Sequence, residues 1–429
     1  MRALAGLLLT AVLGAAACQP GAGPPRLVID HLTELADAPL AIRVEGVPTS
    51  AAVTVRAAAQ GSMGRPLVSS ATFSAGPDGR VDLSRAAPRP GSSYSGVDGL
   101  GLIWSLLPED EGPPTLPAVI GGAEVIRLTA ATAGGPPATA MVQRLLVAPR
   151  VTRHDLTLAA DGIVGRFYSL PPGAARRPAA LVLGGSEGGL GNEAAAMLLA
   201  AHGFPALVIA YFGEPGLPPN LIDIPLEYFT GALAWLGRQP GVDPARLLMM
   251  GASRGGEVAL LLGADFPDLV HAVAAYVPSS VVNPGVTPAG IGGAAWTLGG
   301  RSVPAVTPEQ ALDLAPEPNP DAIIPVERIP GPILLVSGAD DRLWPSPRYA
   351  AAIMNRLDQA HDPYPHISLV YPGAGHGVGA AVPGLPTAGP VVESRYGTLA
   401  LGGTPSANAR GVEDSWPRLL KLLNELIRP

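Results

Sequence analysis

A five-residue run, Gly251-Ala252-Ser253-Arg254-Gly255, constrains this chain more than any other feature. An apolar strand-like stretch, Arg246 to Met250, precedes it, and a helical stretch, Gly255 to Leu262, follows. A strand that turns directly into a helix leaves no room for side chains beside the residue at the apex. Glycines at both flanks meet that need, and the apical serine hydroxyl is pushed out at the carboxyl end of a sheet. The turn therefore predicts a parallel sheet with helices on its faces and a nucleophile at Ser253. The new helix also brings a partial positive charge to the place where an oxyanion would form.

The stretches around the run carry the same rhythm. Ala179 to Leu183, Pro205 to Tyr211, His271 to Val277, Ile333 to Ser337 and Ile367 to Tyr371 read as buried strands. Glu193 to Ala201, closed by Gly203, and Pro225 to Leu236 read as helices between them. Trp416, Leu419, Leu420, Leu423 and Ile427 fall on one helical face and predict a final amphipathic helix. Continuous apolar strands alternating with helices mean a mostly parallel sheet covered on both sides. Leu156 to Leu158 and Ile163 to Tyr168 flank Asp161-Gly162, a hairpin signal.

Residues 26–148 differ in texture. Leu40 to Val44, Val53 to Arg56, Val125 to Thr129 and Met141 to Val147 are short strand-like runs. Gly46, Pro48, the Gly76-Pro77-Asp78-Gly79 turn and Pro88 to Gly91 separate such runs, which suggests an immunoglobulin-like β-sandwich. The expected organisation is a signal peptide over 1–17, a tether over 18–25, a β-sandwich over 26–148 and an α/β domain over 149–429. Two Gly/Pro-rich stretches, Val281 to Pro330 and Gly377 to Ala409, break the strand–helix rhythm and are expected to be lids or binding loops. The first is expected to cap Ser253, with Ile291, Trp296, Leu298 and Ile323 shaping an apolar pocket.

A serine hydroxyl needs a base. His376 lies in Gly373-Ala374-Gly375-His376, on a loop after a predicted strand. Between the two, the apolar run Ile333 to Ser337 opens onto Asp340 and Asp341. A carboxylate there would set the histidine's tautomer and stabilise its charged form. The G-x-x-D spacing points to Asp341, with Asp340 as the alternative. Ser253, Asp341, His376 is the chain order of the α/β-hydrolase fold. An oxyanion hole needs two backbone N–H groups. Arg254 follows the nucleophile, and Ser186 sits in the glycine-rich run Gly184 to Gly189 after the first long apolar strand.

Composition narrows the partners. Of 429 residues, 15% are charged, net charge is −7, and Lys421 is the only lysine, so no basic stripe suits nucleic acid. Cys18 is the single cysteine, which excludes an intramolecular disulfide and a cysteine zinc site; nothing calls for a metal or a cofactor. The apolar run Ala3 to Ala17 after Met1-Arg2 is too short for a mature membrane span and has the form of a signal-peptide core. It resembles a bacterial lipoprotein signal, with Cys18 lipidated and the protein held at the cell envelope. The alternative is plain cleavage after Ala17 and a soluble exported protein.

The runs 184–189, Leu207 to Phe212, Gly251 to Leu260, Gly338 to Ser346 and Gly373 to His376 resemble the acyl-CoA thioester hydrolase / bile acid-CoA:amino acid N-acyltransferase family. In the β region, Gly79 to Leu83, Ser93 to Val97 and Gly101 to Ser105 resemble its β-sandwich domain. The resemblance implies a triad of Ser253, Asp341 and His376. It implies cleavage of an acyl thioester or ester, and serine where the amino-acid acyltransferase branch has cysteine favours water as acceptor. An acyltransferase and a non-catalytic envelope binding protein are the alternatives.

Overall fold

The computed structural model describes residues 24–61, 64–110, 122–173, 175–312, 319–380 and 382–427. The expected signal peptide over 1–17 and Cys18 lie outside the described residues.

The N-terminal part is two β-sheets face to face. Three strands (Arg26–Ile29, Ile42–Glu45, Arg80–Asp82) form one sheet, with Ile42–Glu45 in the middle. Six form the other, in the order Thr33–Leu35, Ala138–Leu145, Ala123–Thr132, Ala52–Gln60, Pro66–Ser74, Leu107–Pro108. Alternation decides what each strand buries. Ala52–Gln60 turns Val53, Val55 and Ala57 inward, and Pro66–Ser74 turns in Leu67, Ala71 and Phe73. These meet Ile42, Val44 and Val81 of the smaller sheet in one core.

The larger part is an eight-stranded sheet. Its order is Thr152–Leu156, Val164–Ser169, Ala206–Ala210, Arg177–Leu183, Val242–Ala252, Ala272–Tyr276, Ile333–Gly338, Ile367–Tyr371. Val164–Ser169 runs antiparallel to both its neighbours and the remaining pairs are parallel. Successive residues of each central strand serve opposite cores: Ala179, Leu181 and Leu183 one, Ala180 and Val182 the other. That double burial is why these strands read as unbroken apolar runs. Helices Leu226–Gly237, Arg254–Asp265 and Ser346–Gln359 cover the first face, and Glu193–Ala201 and Pro405–Glu425 the second. This is the α/β-hydrolase fold. The two parts meet at Asp37, whose Oδ2 accepts from Trp416 Nε1 at 2.9 Å and lies 2.5 Å from His202 Nε2.

Local details differ from the sequence expectations. The hairpin signalled at Asp161-Gly162 is present, since Thr152–Leu156 pairs antiparallel with Val164–Ser169, but its connection is longer than two residues: Leu158–Asp161 is a one-turn helix capped by Thr157, and Gly162 at φ 72° ends it. Ser346–Gln359 is a helix that the Ser-Pro start and polar surface conceal, although Tyr349, Ala350, Ile353 and Leu357 bury one face. The final helix begins at Pro405, behind the Thr404 cap, and carries Pro417 inside it, so the second irregular stretch ends earlier than expected. Last, Trp296 is not a pocket residue. It is fully buried, with Phe229 and Tyr211 against it at ring separations of 6.0 and 5.8 Å. Of its expected companions, Ile291 and Leu298 are exposed and Ile323 packs in a small cluster with Val281, Val306, Ala322, Trp344 and Tyr349.

Candidate active site

Ser253 stands between the central strand Val242–Ala252 and the helix Arg254–Asp265, at φ 57° and ψ −122°. A non-glycine residue held there costs on the order of 1–3 kcal/mol. The flanking glycines allow it: a Cβ on Gly251 would lie 2.1 Å from Gly255 O, and one on Gly255 2.2 Å from Gly184 O. The Ser253 N–H donates to Tyr276 O at 2.9 Å, which ties the apex to the next strand. Ser253 is partly exposed while Ala252 and Arg254 on either side are buried.

His376 opens a short 3-10 turn, His376–Ala380, after the last strand. Its N–H donates to Leu401 O at 2.8 Å, and Trp344 packs edge-on against its ring at 5.8 Å. His376 Nδ1 lies 2.9 Å from Asp341 Oδ2. That oxygen also accepts from Ser346 Oγ at 2.6 Å, and Oδ1 accepts the N–H groups of Leu343 and Trp344 at 3.0 and 3.3 Å. The Asp341 carboxylate is fully enclosed. Asp340 faces elsewhere, pairing with Arg342 and accepting from Gly403 N at 3.1 Å. Thus of the two adjacent aspartates, Asp341 is the one bonded to the histidine. His376 Nε2 is buried and has no hydrogen-bond partner, so Ser253 Oγ and His376 Nε2 are not bonded to each other.

The glycine-rich loop closes the other side. Tyr211 Oη donates to the carbonyls of Gly184 and Gly185 at 2.8 and 3.0 Å. A Cβ on Gly185 would stand 3.1 Å from Ser253 Cβ, so the loop abuts the nucleophile turn. Ser186 follows, in a partly exposed turn. Arg254 begins its helix, where backbone N–H groups have no partner within the helix. The two amides expected to hold an oxyanion therefore come from two segments that flank Ser253.

Comparison with known proteins adds a second line. Residues 224–429 match the model described as BAAT / Acyl-CoA thioester hydrolase C terminal, and residues 37–158 match Acyl-CoA thioester hydrolase/BAAT N-terminal region. Acyl-coenzyme A thioesterase 6 of Mus musculus is 32% identical over 403 residues, spanning 89% of this chain and 92% of that protein. The chain belongs to the acyl-CoA thioester hydrolase/BAAT family. Another relative, acyl-coenzyme A amino acid N-acyltransferase 2 of Rattus norvegicus, is 29% identical over 423 residues, spanning 93% of this chain and 97% of that protein. Among solved structures, a dienelactone hydrolase-like promiscuous phosphotriesterase from metagenomic libraries is 21% identical, covers 65% of this chain and 99% of its own, and has a TM-score of 0.41.

Behind the nucleophile this family member carries a buried polar network that sequence reasoning missed. The Arg254 side chain is buried. Nη1 donates to Glu257 Oε2 at 2.8 Å, and Nη2 to the carbonyls of Asn283 and Pro284 at 2.9 and 3.1 Å. Glu257 is fully buried and also accepts from Asn283 Nδ2 and Trp296 Nε1, both at 2.8 Å. Burial pushes its carboxyl up, and the Arg254 guanidinium and these donors pull against that. The i,i+3 spacing of Arg254 and Glu257 was legible in the sequence, but Asn283 and Trp296 come from the distant 281–330 stretch. That stretch is tied to the nucleophile's helix through this network.

Proposed function

We propose that this chain is a serine-dependent hydrolase of acyl thioesters or carboxylic esters, acting through an acyl-enzyme on Ser253. The observation that carries the reading is the enclosed Asp341–His376 pair, on loops that follow two strands of the sheet bearing the strained Ser253 turn. Asp341 holds Nδ1, which leaves Nε2 as the basic nitrogen. In the first step His376 Nε2 takes the Ser253 hydroxyl proton as Oγ bonds to the acyl carbon. The tetrahedral intermediate's oxyanion rests on the amides of Ser186 and Arg254. The carbon–sulfur or carbon–oxygen bond then breaks, and His376 gives its proton to the departing thiol or alcohol. Water repeats the sequence: His376 takes its proton, the acid forms, and the proton returns to Ser253 Oγ.

Relatives named as acyl-coenzyme A thioesterases support an acyl thioester as substrate class. The relative named as an amino acid N-acyltransferase supports a second reading, in which an amine replaces water. The test is fluorophosphonate labelling of the purified chain beside Ser253→Ala, followed by ester and thioester chain-length series with and without an amine acceptor. Labelling confined to the protein with Ser253, and a rate loss of about 10⁴-fold or more in the alanine variant, is expected. Undiminished turnover by Ser253→Ala would remove the reading. Product appearing as amide in preference to acid would move it to acyl transfer.

A further inference from the structure

Glu187 is the one ionisable residue of the Gly184–Gly189 loop, and the steps above do not use it. Its carboxylate folds back into its own loop: Oε1 accepts the Gly185 N–H at 2.9 Å. The space it fills is space that two glycines leave. A Cβ on Gly184 would stand 2.5 Å from Oε1, and one on Gly191 only 1.9 Å from it. Any side chain at position 191 would evict the carboxylate, and its Cβ would also press on Gly184 Cα, 2.8 Å away. Oε2 and Ser253 Cβ lie 2.9 and 3.1 Å from one point, the Cβ position of Gly185, so they are at most about 6 Å apart. In the order of the sheet, Glu187 reaches Ser253 from the strand on one side and His376 from the far edge on the other.

The loop's polar groups are thereby assigned. Tyr211 takes the carbonyls of Gly184 and Gly185, and Glu187 takes the Gly185 amide. The next amide along, that of Ser186, is the one the oxyanion needs. Glu187 is exposed as a residue, yet enough protein surrounds its carboxyl to push it up, with the loop amides and His376 pulling it down.

We propose that Glu187 is a positioning residue, seated in the Gly184/Gly191 cradle, that locks the turn aiming the Ser186 N–H at the oxyanion formed on Ser253. The inference rests on the Ser253 reading above. A displacement of about 1 Å at such a donor can cost 10²-fold in rate. The lock acts on the transition state, so its loss lowers kcat and leaves KM nearly alone.

The experiment uses the full chain with Glu187→Ala, Glu187→Gln and Gly191→Ala, reading kcat, KM, fluorophosphonate labelling and melting temperature. Glu187→Ala is expected to lower kcat about tenfold or more with KM changed less than about threefold. Gly191→Ala gives the same split with a loss at least as large, because its methyl takes the seat and presses on Gly184 Cα. Glu187→Gln, whose amide oxygen accepts the same N–H, keeps kcat within about threefold of wild type. The double variant Glu187→Ala/Gly191→Ala is no worse than Gly191→Ala alone, since that variant has already lost the lock. Should Glu187→Ala not fold, Gly191→Ala against Glu187→Gln decides. Wild-type kcat in Gly191→Ala or Glu187→Ala, equal losses in the Gln and Ala variants, or multiplied losses in the double variant overturns the proposal while wild-type labelling of Ser253 stands. Absence of wild-type labelling overturns the nucleophile reading, and this inference with it.

Discussion

Asp341 Oδ2 lies between two donors, Ser346 Oγ at 2.6 Å and His376 Nδ1 at 2.9 Å, while Asp340, one residue earlier, meets neither. Ser346 is the first residue of the helix that follows. The carboxylate is thus fixed by the helix before it fixes the imidazole. Asp341→Asn should lower kcat by about 100-fold or more, because the amide can present an N–H where Nδ1–H needs an acceptor. Asp340→Asn, at an exposed site paired with Arg342, should cost less than about threefold. Steady-state kinetics on one thioester compares them, and the reverse ranking would reassign the carboxylate. Ser346→Ala should fall between the two, since it frees Asp341 without removing its charge.

The parts of the fold that were legible are those where one residue property had one cause. Ala179 to Leu183 and Ile333 to Ser337 are apolar throughout because both sheet faces are covered, and the glycines around Ser253 are there because Gly255 and Gly184 carbonyls leave no room. Reading failed where two causes give the same letters. A tryptophan in a glycine-rich stretch suits a pocket wall or a core, and the partner that decides for Trp296, Glu257, is 39 residues away. The adjacent aspartates were told apart by the G-x-x-D spacing alone, which pointed to Asp341, the one that meets His376. Ser346–Gln359 starts with Ser-Pro and stays polar on its outer face, so its apolar stripe of four residues was easily overlooked.

Trp296 joins the Arg254–Glu257 network to the aromatic core, and its truncation should act on stability. Trp296→Ala should cost about 3–5 kcal/mol, from the cavity and the donor lost to a buried carboxylate. Trp296→Phe keeps ring packing, loses only the N–H to Glu257, and should cost about 1–3 kcal/mol. Denaturant unfolding gives both values. The ranking of acyl chain lengths should stay the same in Trp296→Phe; a reordered ranking would mean that the ring faces substrate after all.

Cys18 lies outside the described residues, and no helix among those described is long and apolar enough to cross a membrane. We propose that a lipid on Cys18 anchors the chain at the cell envelope, on the strength of the Ala3 to Ala17 run before it. Cys18→Ser should then move the protein from the membrane fraction to the soluble one. Wild-type protein that is wholly soluble, with an unmodified amino terminus, would refute the anchor.

Glu124 makes stability depend on pH in the direction opposite to a salt-bridged carboxylate. It sits on the inward face of strand Ala123–Thr132, is 1% exposed, and neither carboxylate oxygen has a hydrogen-bond partner among the described residues. Arg144 is its cross-strand neighbour but spends its Nη2 on the carbonyls of Ala36 and Ala38. Burial raises the Glu124 carboxyl from 4.5 to about 7. Between those values the unfolded chain has released the proton and the folded chain still holds it. The unfolded state therefore binds fewer protons, and stability falls as pH rises through this window, then levels off above about 7. A rise from 4.5 to about 7 corresponds to a loss on the order of 3 kcal/mol, at 1.36 kcal/mol per pK unit. Glu413, also raised to about 7, adds a loss of the same sign. Glu124→Gln cannot ionise. Its own unmet amide costs the same at every pH, so the pH slope is the measurement that isolates the charge. Denaturant midpoints from pH 4.5 to 8.5 should fall less steeply in Glu124→Gln than in wild type, the two curves converging or crossing toward high pH. Parallel curves would mean that Arg144 turns to meet the ionised carboxylate, and that its burial carries no titration cost.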